Sequence, residues 1–216
     1  MLNGTFFAGS ALAALAGYLL GSLSFAIIIS TLVYGKDVRQ FGSGNAGMTN
    51  MLRTFGKQGA AMVFFGDFLK GVAAVWVGGL IFRMMGITMV DGGYISGFFA
   101  IVGHLFPLYF GFRGGKGVLT SAGVILMINP PVLACLVVVA LPILLITRIV
   151  SVMSISAAAL YPVITYFVLA WQHKPALFET LFAVPIGLLI VYMHRSNIQR
   201  LLKGTEHRFG QKKEEH

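Results

Sequence analysis

Residues 118–147 read VLTSAGVILMINPPVLACLVVVALPILLIT, thirty residues without one charge. As a single helix rising 1.5 Å per residue, this stretch would be about 45 Å long, against a bilayer core of about 30 Å. It is therefore either one long, tilted span or two short spans meeting at Asn129-Pro130-Pro131, where two prolines remove backbone donors and favour a turn. The choice decides on which side of a membrane every later residue lies.

The rest of the chain has the same character. Of 216 residues 57% are hydrophobic and 11% charged, and the mean hydropathy is +0.84. A soluble domain could not hide so much apolar surface. Apolar runs near 6–34, 58–85, 93–112, 151–171 and 176–193 join the two halves of the opening stretch, 118–129 and 131–147, as candidate helices. The first run has no basic leader and continues past Gly21-Ser22 without an obvious cleavage site, so it reads as a retained helix. No repeat or linker divides the chain, and 1–216 reads as one domain with a short polar tail at Gln211–His216.

Lysine and arginine bias resolves the opening question, because short cytoplasmic loops keep an excess of positive charge. With two short helices, thirteen of the sixteen lysines and arginines fall on one side, Arg83 and Lys174 on the other, and Lys70 within a span. With one long helix the two sides come out nearly even. The sequence thus predicts an all-α membrane protein, a bundle of seven transmembrane helices with the N-terminus outside and the C-terminus cytoplasmic. The formal net charge of +9 lies almost wholly on the inner face. Attraction to anionic membrane lipids accounts for part of this excess.

Three inner segments combine glycine, amides and cations: GSGNAGMTNMLR at 42–53, RGGKG at 113–117 and HRSNIQR at 194–200. Glycine lets backbone N–H groups turn toward an anion, lysine and arginine supply charge, and serine, threonine and asparagine supply directed hydrogen bonds. Alone, each segment could be a packing turn. RGGKG is no Walker loop, since Gly117 follows Lys116 where serine or threonine is required. Three on one face point to phosphate. Within the second helix, Asp67 and Lys70 stand three apart on one face and read as a structural ion pair. His104 could close a buried hydrogen-bond network or act on a substrate hydroxyl. The seven carboxylates form no cluster at metal-ligand spacing, the single cysteine, Cys135, forms no internal disulfide, and neither a metal nor a cofactor is expected.

GSGNAGMTNMLR, GDFLKG at 66–71, GHLFPLYFGFRGGKG at 103–117 and HRSNIQRLLKGTEHRF at 194–209, in this order, resemble the bacterial integral-membrane glycerol-3-phosphate acyltransferases that use acyl phosphate as donor. Arg148-Ile-Val-Ser151 is similar to a short inner-loop signature of that family. Arg113 stands where its members often carry lysine, and Ser196 where glutamate is common. The resemblance implies acyl transfer to the 1-hydroxyl of sn-glycerol 3-phosphate, giving lysophosphatidic acid and phosphate, at a site facing the cytoplasm from the bacterial cell membrane.

It also implies roles. Ser43, Arg53, His104, Lys116 and Asn197 are expected to be catalytic, with His104 orienting or deprotonating the hydroxyl unless a substrate phosphate is the base. Asn45, Thr49, Asn50, Arg113, Gly114, Gly115, Gly117, Ser151, His194 and Arg200 are expected to bind substrate. The implied partners are acyl phosphate, sn-glycerol 3-phosphate, membrane lipids and an upstream enzyme that forms acyl phosphate, with no nucleic acid. The alternative from another class is a transporter of a phosphorylated metabolite, which could use the same groups. Against it, these groups lie near one face and no inverted repeat is visible.

Overall fold

In a computed structural model of the chain, residues 4–209 are described, and the polar tail at 211–216 lies outside them. Among the described residues the regular structure is all helical: α1 (Gly4–Gly21), α2 (Phe25–Tyr34), α3 (Met48–Met84), α4 (Gly92–Leu105), α5 (Val118–Ile128), α6 (Pro130–Thr147), α7 (Val150–Trp171), α8 (Leu177–Met193) and α9 (Arg195–Leu202), with short 3₁₀ turns at Val38–Gln40 and Leu108–Phe110. The chain divides into two compact units, residues 1–130 and 131–216.

Five stretches are long and apolar enough to cross a membrane: 4–34, 48–84, 92–110, 130–147 and 150–171. A sixth is the pair α8 and α9, bent by 55°, whereas α5 has only eleven residues. Their outer surfaces carry large exposed apolar side chains such as Trp76, Val138, Ile146 and Leu188, as lipid contact requires. The chain is a multi-pass membrane protein.

In the first unit α1 and α4 pack through small residues. Gly9, Ala13, Gly17 and Gly21 recur every four positions on the buried face of α1. Opposite them α4 buries Gly92, Gly93, Ser96, Gly97, Ala100 and Gly103. A Cβ on Gly17 or Gly21 would run into the backbone carbonyl of Ser96 or Ala100. Small residues spaced in this way let helix backbones touch within a membrane. α3 packs against α1, α2, α4 and α5, and buries Val63, Asp67, Lys70, Gly71 and Ala74 among them.

Three boundaries differ from the sequence expectation. The first apolar run is two helices, because the chain leaves helical geometry at Ser22–Ser24, where no proline or charge marks a break. α3 starts at Met48 instead of 58, so Thr49, Asn50 and Arg53 lie on helix and not in a loop. Its first two turns are set off from the remainder by Gly56, whose φ of 81° and ψ of −169° are open to glycine at little cost. The third run ends at Leu105, since Pro107 cannot continue a helix. At the opening stretch the two-helix reading is what the structure has: Asn129 leaves helical geometry at φ −149° and ψ 85°, and α6 begins at Pro130.

Candidate functional site

The first unit gathers a polar cluster where α1, α3 and α4 meet. The Lys70 ammonium forms an ion pair with Asp67 (Nζ to Oδ1, 2.8 Å) and donates to the carbonyl of Leu23 at 2.7 Å. Its Nζ also lies 2.9 Å from Nδ1 of His104, whose distance to Asp67 Oδ1 is 3.5 Å. Asp67, Lys70 and His104 are all buried.

The glycine loop after α4 folds back onto the end of that helix. The amides of Gly114 and Gly115 donate to the carbonyls of Leu105 and His104, at 3.2 and 3.1 Å. Both carbonyls belong to the last turn of α4, where no intrahelical partner exists. Gly115 must be glycine: a Cβ there would collide with Nε2 of His104 and stand 2.6 Å from the carbonyl oxygen of Ala46. Lys116 is held half-buried between two buried glycines, Gly115 and Gly117. Gly117, at φ 83°, turns the chain into α5.

The loop 42–47 is shaped by one amide. Buried Asn50 donates from Nδ2 to the carbonyls of Val38 (3.0 Å) and Phe41 (2.9 Å), and its Oδ1 accepts from the Ser43 amide at 3.0 Å. This leaves Ser43 exposed and Asn45 and Thr49 half-buried. Arg39 ties that loop to the next one. Its guanidinium grips Asp37 (Nη2 to Oδ2, 2.7 Å) and donates to the carbonyls of Phe110 and Arg113 at 2.7 and 3.3 Å. The hydrogen bonds from Arg39 hold the Asp37 carboxyl below its usual 3.8. Arg39, Gly44, Arg113 and Gly114 line a groove of about 600 Å³.

In the second unit, the site residues expected from the sequence converge on a carboxylate that was not among them. Glu206 Oε1 accepts from Ser151 Oγ at 2.8 Å and from Asn197 Nδ2 at 2.6 Å, and Oε2 accepts from Arg200 Nε at 2.6 Å. The Glu206 side chain is only 4% exposed. Burial pushes its carboxyl up, but the donors from Asn197, Ser151 and Arg200, together with the Arg200 charge, outweigh burial and keep it below 4.5. His194, buried at the junction of α8 and α9, lies with Nδ1 2.7 Å from the carbonyl of Ile190.

The structure thus brings Asp67, Lys70, His104 and Gly115 together in one unit, and Ser151, Asn197 and Arg200 in the other. Arg53 is exposed on the second turn of α3, and Arg113 is exposed at the groove. Sequence reading missed Glu206, Arg39 and the structural use of Asn50. The one signal for Glu206 was its place in HRSNIQRLLKGTEHRF, where it is the only carboxylate.

Comparison with known proteins adds a family. A model described as glycerol-3-phosphate acyltransferase matches residues 11–204. The chain is 44% identical over 202 residues to a glycerol-3-phosphate acyltransferase of Clostridioides difficile (strain 630), covering 93% of this chain and 96% of that one. To one of Pseudomonas fluorescens (strain Pf0-1) it is 45% identical over 198 residues, 92% and 98% of the two chains. It is also similar to the crystal structure of PlsY (YgiH), an integral membrane glycerol 3-phosphate acyltransferase. The glycerol 3-phosphate form superposes with a TM-score of 0.80 at 38% identity, covering 93% of this chain and 96% of that one, and the lysophosphatidic acid form with 0.78.

Proposed function

The chain belongs to the glycerol-3-phosphate acyltransferase family, and from that premise we propose that it moves a fatty acyl group from acyl phosphate to the 1-hydroxyl of sn-glycerol 3-phosphate, the first acylation of phospholipid synthesis. The hydroxyl oxygen attacks the acyl carbon, the bond from that carbon to the phosphate oxygen breaks, and lysophosphatidic acid and inorganic phosphate leave. The hydroxyl proton ends on phosphate. The solved relatives in glycerol 3-phosphate and lysophosphatidic acid forms support acceptor and product. The observation that carries the reading is the glycine loop folded onto the end of α4, with Lys116 between buried glycines and Gly115 against His104. This is a cation at the end of an apolar helix, on a loop whose Gly114 and Gly115 amides are given to the helix end and fix its shape, suited to a phosphate attached to a fatty chain.

Acyl phosphate is a mixed anhydride with a good leaving group, so the protein has chiefly to position the hydroxyl and stabilise developing charge. Arg53 and Lys116 supply that charge, Arg113 and Arg200 extend it, and Ser43, Asn45, Thr49, Ser151, His194 and Asn197 direct hydrogen bonds. Asn50 contributes through the loop it holds. Transfer is direct, because an ester on Ser43 would exchange an activated donor for a less reactive one. Residues 1–216 act as one acyltransferase domain, supported by a family model that runs through both units. Seven segments cross the cell membrane, α5 included, with the N-terminus outside and the site facing the cytoplasm. The charge bias supports this arrangement, since omitting α5 as a span distributes the cations evenly.

Purified protein in detergent, where transport has no meaning, is expected to form lysophosphatidate from acyl phosphate and glycerol 3-phosphate. Product from an acyl thioester but none from acyl phosphate would replace the donor. Stoichiometric protein-bound label from radiolabelled acyl phosphate alone, lost in Ser43→Ala, would replace direct transfer with two steps. In a variant lacking Cys135, cysteines at the exposed positions Lys57 and Gly204 are expected to be labelled only from the inner side, and one at exposed Pro131 only from the outer side.

A further inference from the structure

A lysine within a membrane span needs only one carboxylate to neutralise it, and Asp67, one helical turn away, meets that need. Lys70 nevertheless has two further partners, from two other parts of the unit: the Leu23 carbonyl in the break between α1 and α2, and Nδ1 of His104 on α4. The Leu23 carbonyl is available because the chain breaks between α1 and α2. In a continuous helix it would accept from the amide of Ile27, but here the amides of Ile27 and Ile28 both go to Ser24, at 3.1 and 2.9 Å. The break that nothing in the sequence announces thus supplies an acceptor that aims Lys70.

The contact with His104 fixes a proton. An ammonium has donors only, so at 2.9 Å the imidazole nitrogen opposite it must present its lone pair. A proton on Nδ1 would meet the ammonium at 2.9 Å, while the nearest carboxylate oxygen, Asp67 Oδ1, lies farther off at 3.5 Å. The ring proton therefore resides on Nε2, and Nε2 is the edge that faces Gly115 and the Ala46 carbonyl, where the two glycine segments of the first unit meet.

We infer that Lys70, held by Asp67 and Leu23, is a positioning residue of the transfer reaction: it fixes His104 as an Nε2–H donor aimed at the glycine loops, where an oxygen of the substrate lies. Asp67 and Lys70 are then more than a lock between helices, since a lock would not need His104. The inference rests on the acyltransferase reading for the identity of the reaction, but not for the state of the ring.

The test uses the full chain with ¹⁵N-labelled histidine, the His104 signals being identified by their loss in His104→Gln. The expected wild-type spectrum has a protonated Nε2 and an Nδ1 shifted from the position of a free acceptor by its hydrogen bond. Asp67→Asn/Lys70→Met removes both charges together. It is expected to move Nδ1 to the free-acceptor position or to a mixture of tautomers. In the same variant kcat should fall about 100-fold, with KM for glycerol 3-phosphate changed less than about threefold. A proton on Nδ1 in the wild type overturns the inference, and so does a double variant with near-normal kcat and an unmoved His104 signal. If the double variant does not fold, the wild-type spectrum still decides. An inactive wild type showing the expected spectrum would support the ring assignment and count against the acyltransferase reading alone.

Discussion

The two polar clusters are built from opposite anchors. In the first unit a buried cation, Lys70, stands against Nδ1 of His104, among helices packed through glycine. In the second a buried anion, Glu206, gathers three donors from α7 and α9. On the inference drawn above, the cation anchor takes the Nδ1 lone pair of His104 and leaves the ring a donor. An anion anchor takes one proton each from Ser151, Asn197 and Arg200, leaving the serine lone pairs and the terminal guanidinium nitrogens in the inventory. The anchor decides which half of each side chain's hydrogen-bonding capacity remains for chemistry.

If the clusters differ in this way, damage to the first should reach the reaction directly and damage to the second should reach it through stability. The largest effect is expected for Lys116→Ala, about 10²- to 10³-fold in kcat/KM with an unchanged gel-filtration profile, as for removal of a preorganised charge. Near-normal turnover when both substrates are limiting would remove Lys116 from the site. Gly115→Ala comes next, with an expected loss of about 100-fold, because its methyl group must displace His104 or the Ala46 carbonyl. A fully active Gly115→Ala would break the comparison on the side of the first unit.

Glu206→Gln should lower thermal stability in detergent by about 1.5–3 kcal/mol, the range of hydrogen bonds to a charged group. The carboxyl of Glu206 is depressed below 4.5 in the folded chain, so its stabilisation is complete above about pH 4.5 and lost as pH falls through the depressed value. A melting curve of Glu206→Gln should lack that acid-side decline; identical acid profiles for variant and wild type would show that the anchor contributes nothing. The smallest effect belongs to Asp37→Asn. Asp37 and Arg39 are about one quarter exposed, and the pair is worth about 0.5 kcal/mol. A loss of activity beyond a few-fold would promote the Arg39 tie between loops to a larger role.

The sequence made some of this legible and hid the rest for identifiable reasons. Asn129-Pro130-Pro131 announces its break because proline has no amide to give. Ser22-Leu23-Ser24 breaks a helix in residues that any helix tolerates, and the contacts made at the break are tertiary: Lys70 donates to the Leu23 carbonyl, and Ser22 Oγ accepts from the Leu108 amide at 3.2 Å. Asp67 and Lys70 are visible as a pair because their spacing is local. Their link to His104 spans 34 residues and leaves no periodic trace. Asn50 looks like a ligand by type, yet its amide is committed to Val38, Phe41 and Ser43. Glu206 stands among the cations of 194–209 with no local partner pattern to mark it, and its bond to Ser151 crosses 55 residues.

The glycine stripe between α1 and α4 has a consequence for variation. At Gly17, Gly21 and Gly103 the facing surface is backbone carbonyl, which no exchange of a neighbouring side chain can pull back. A complete substitution scan should therefore find these positions closed even to alanine and without suppressors nearby. Leu12 and Leu15, half-exposed on the same helix, should accept most apolar replacements. The heritable information in α1 is concentrated in its smallest residues, and the bulk that makes the helix greasy is nearly interchangeable.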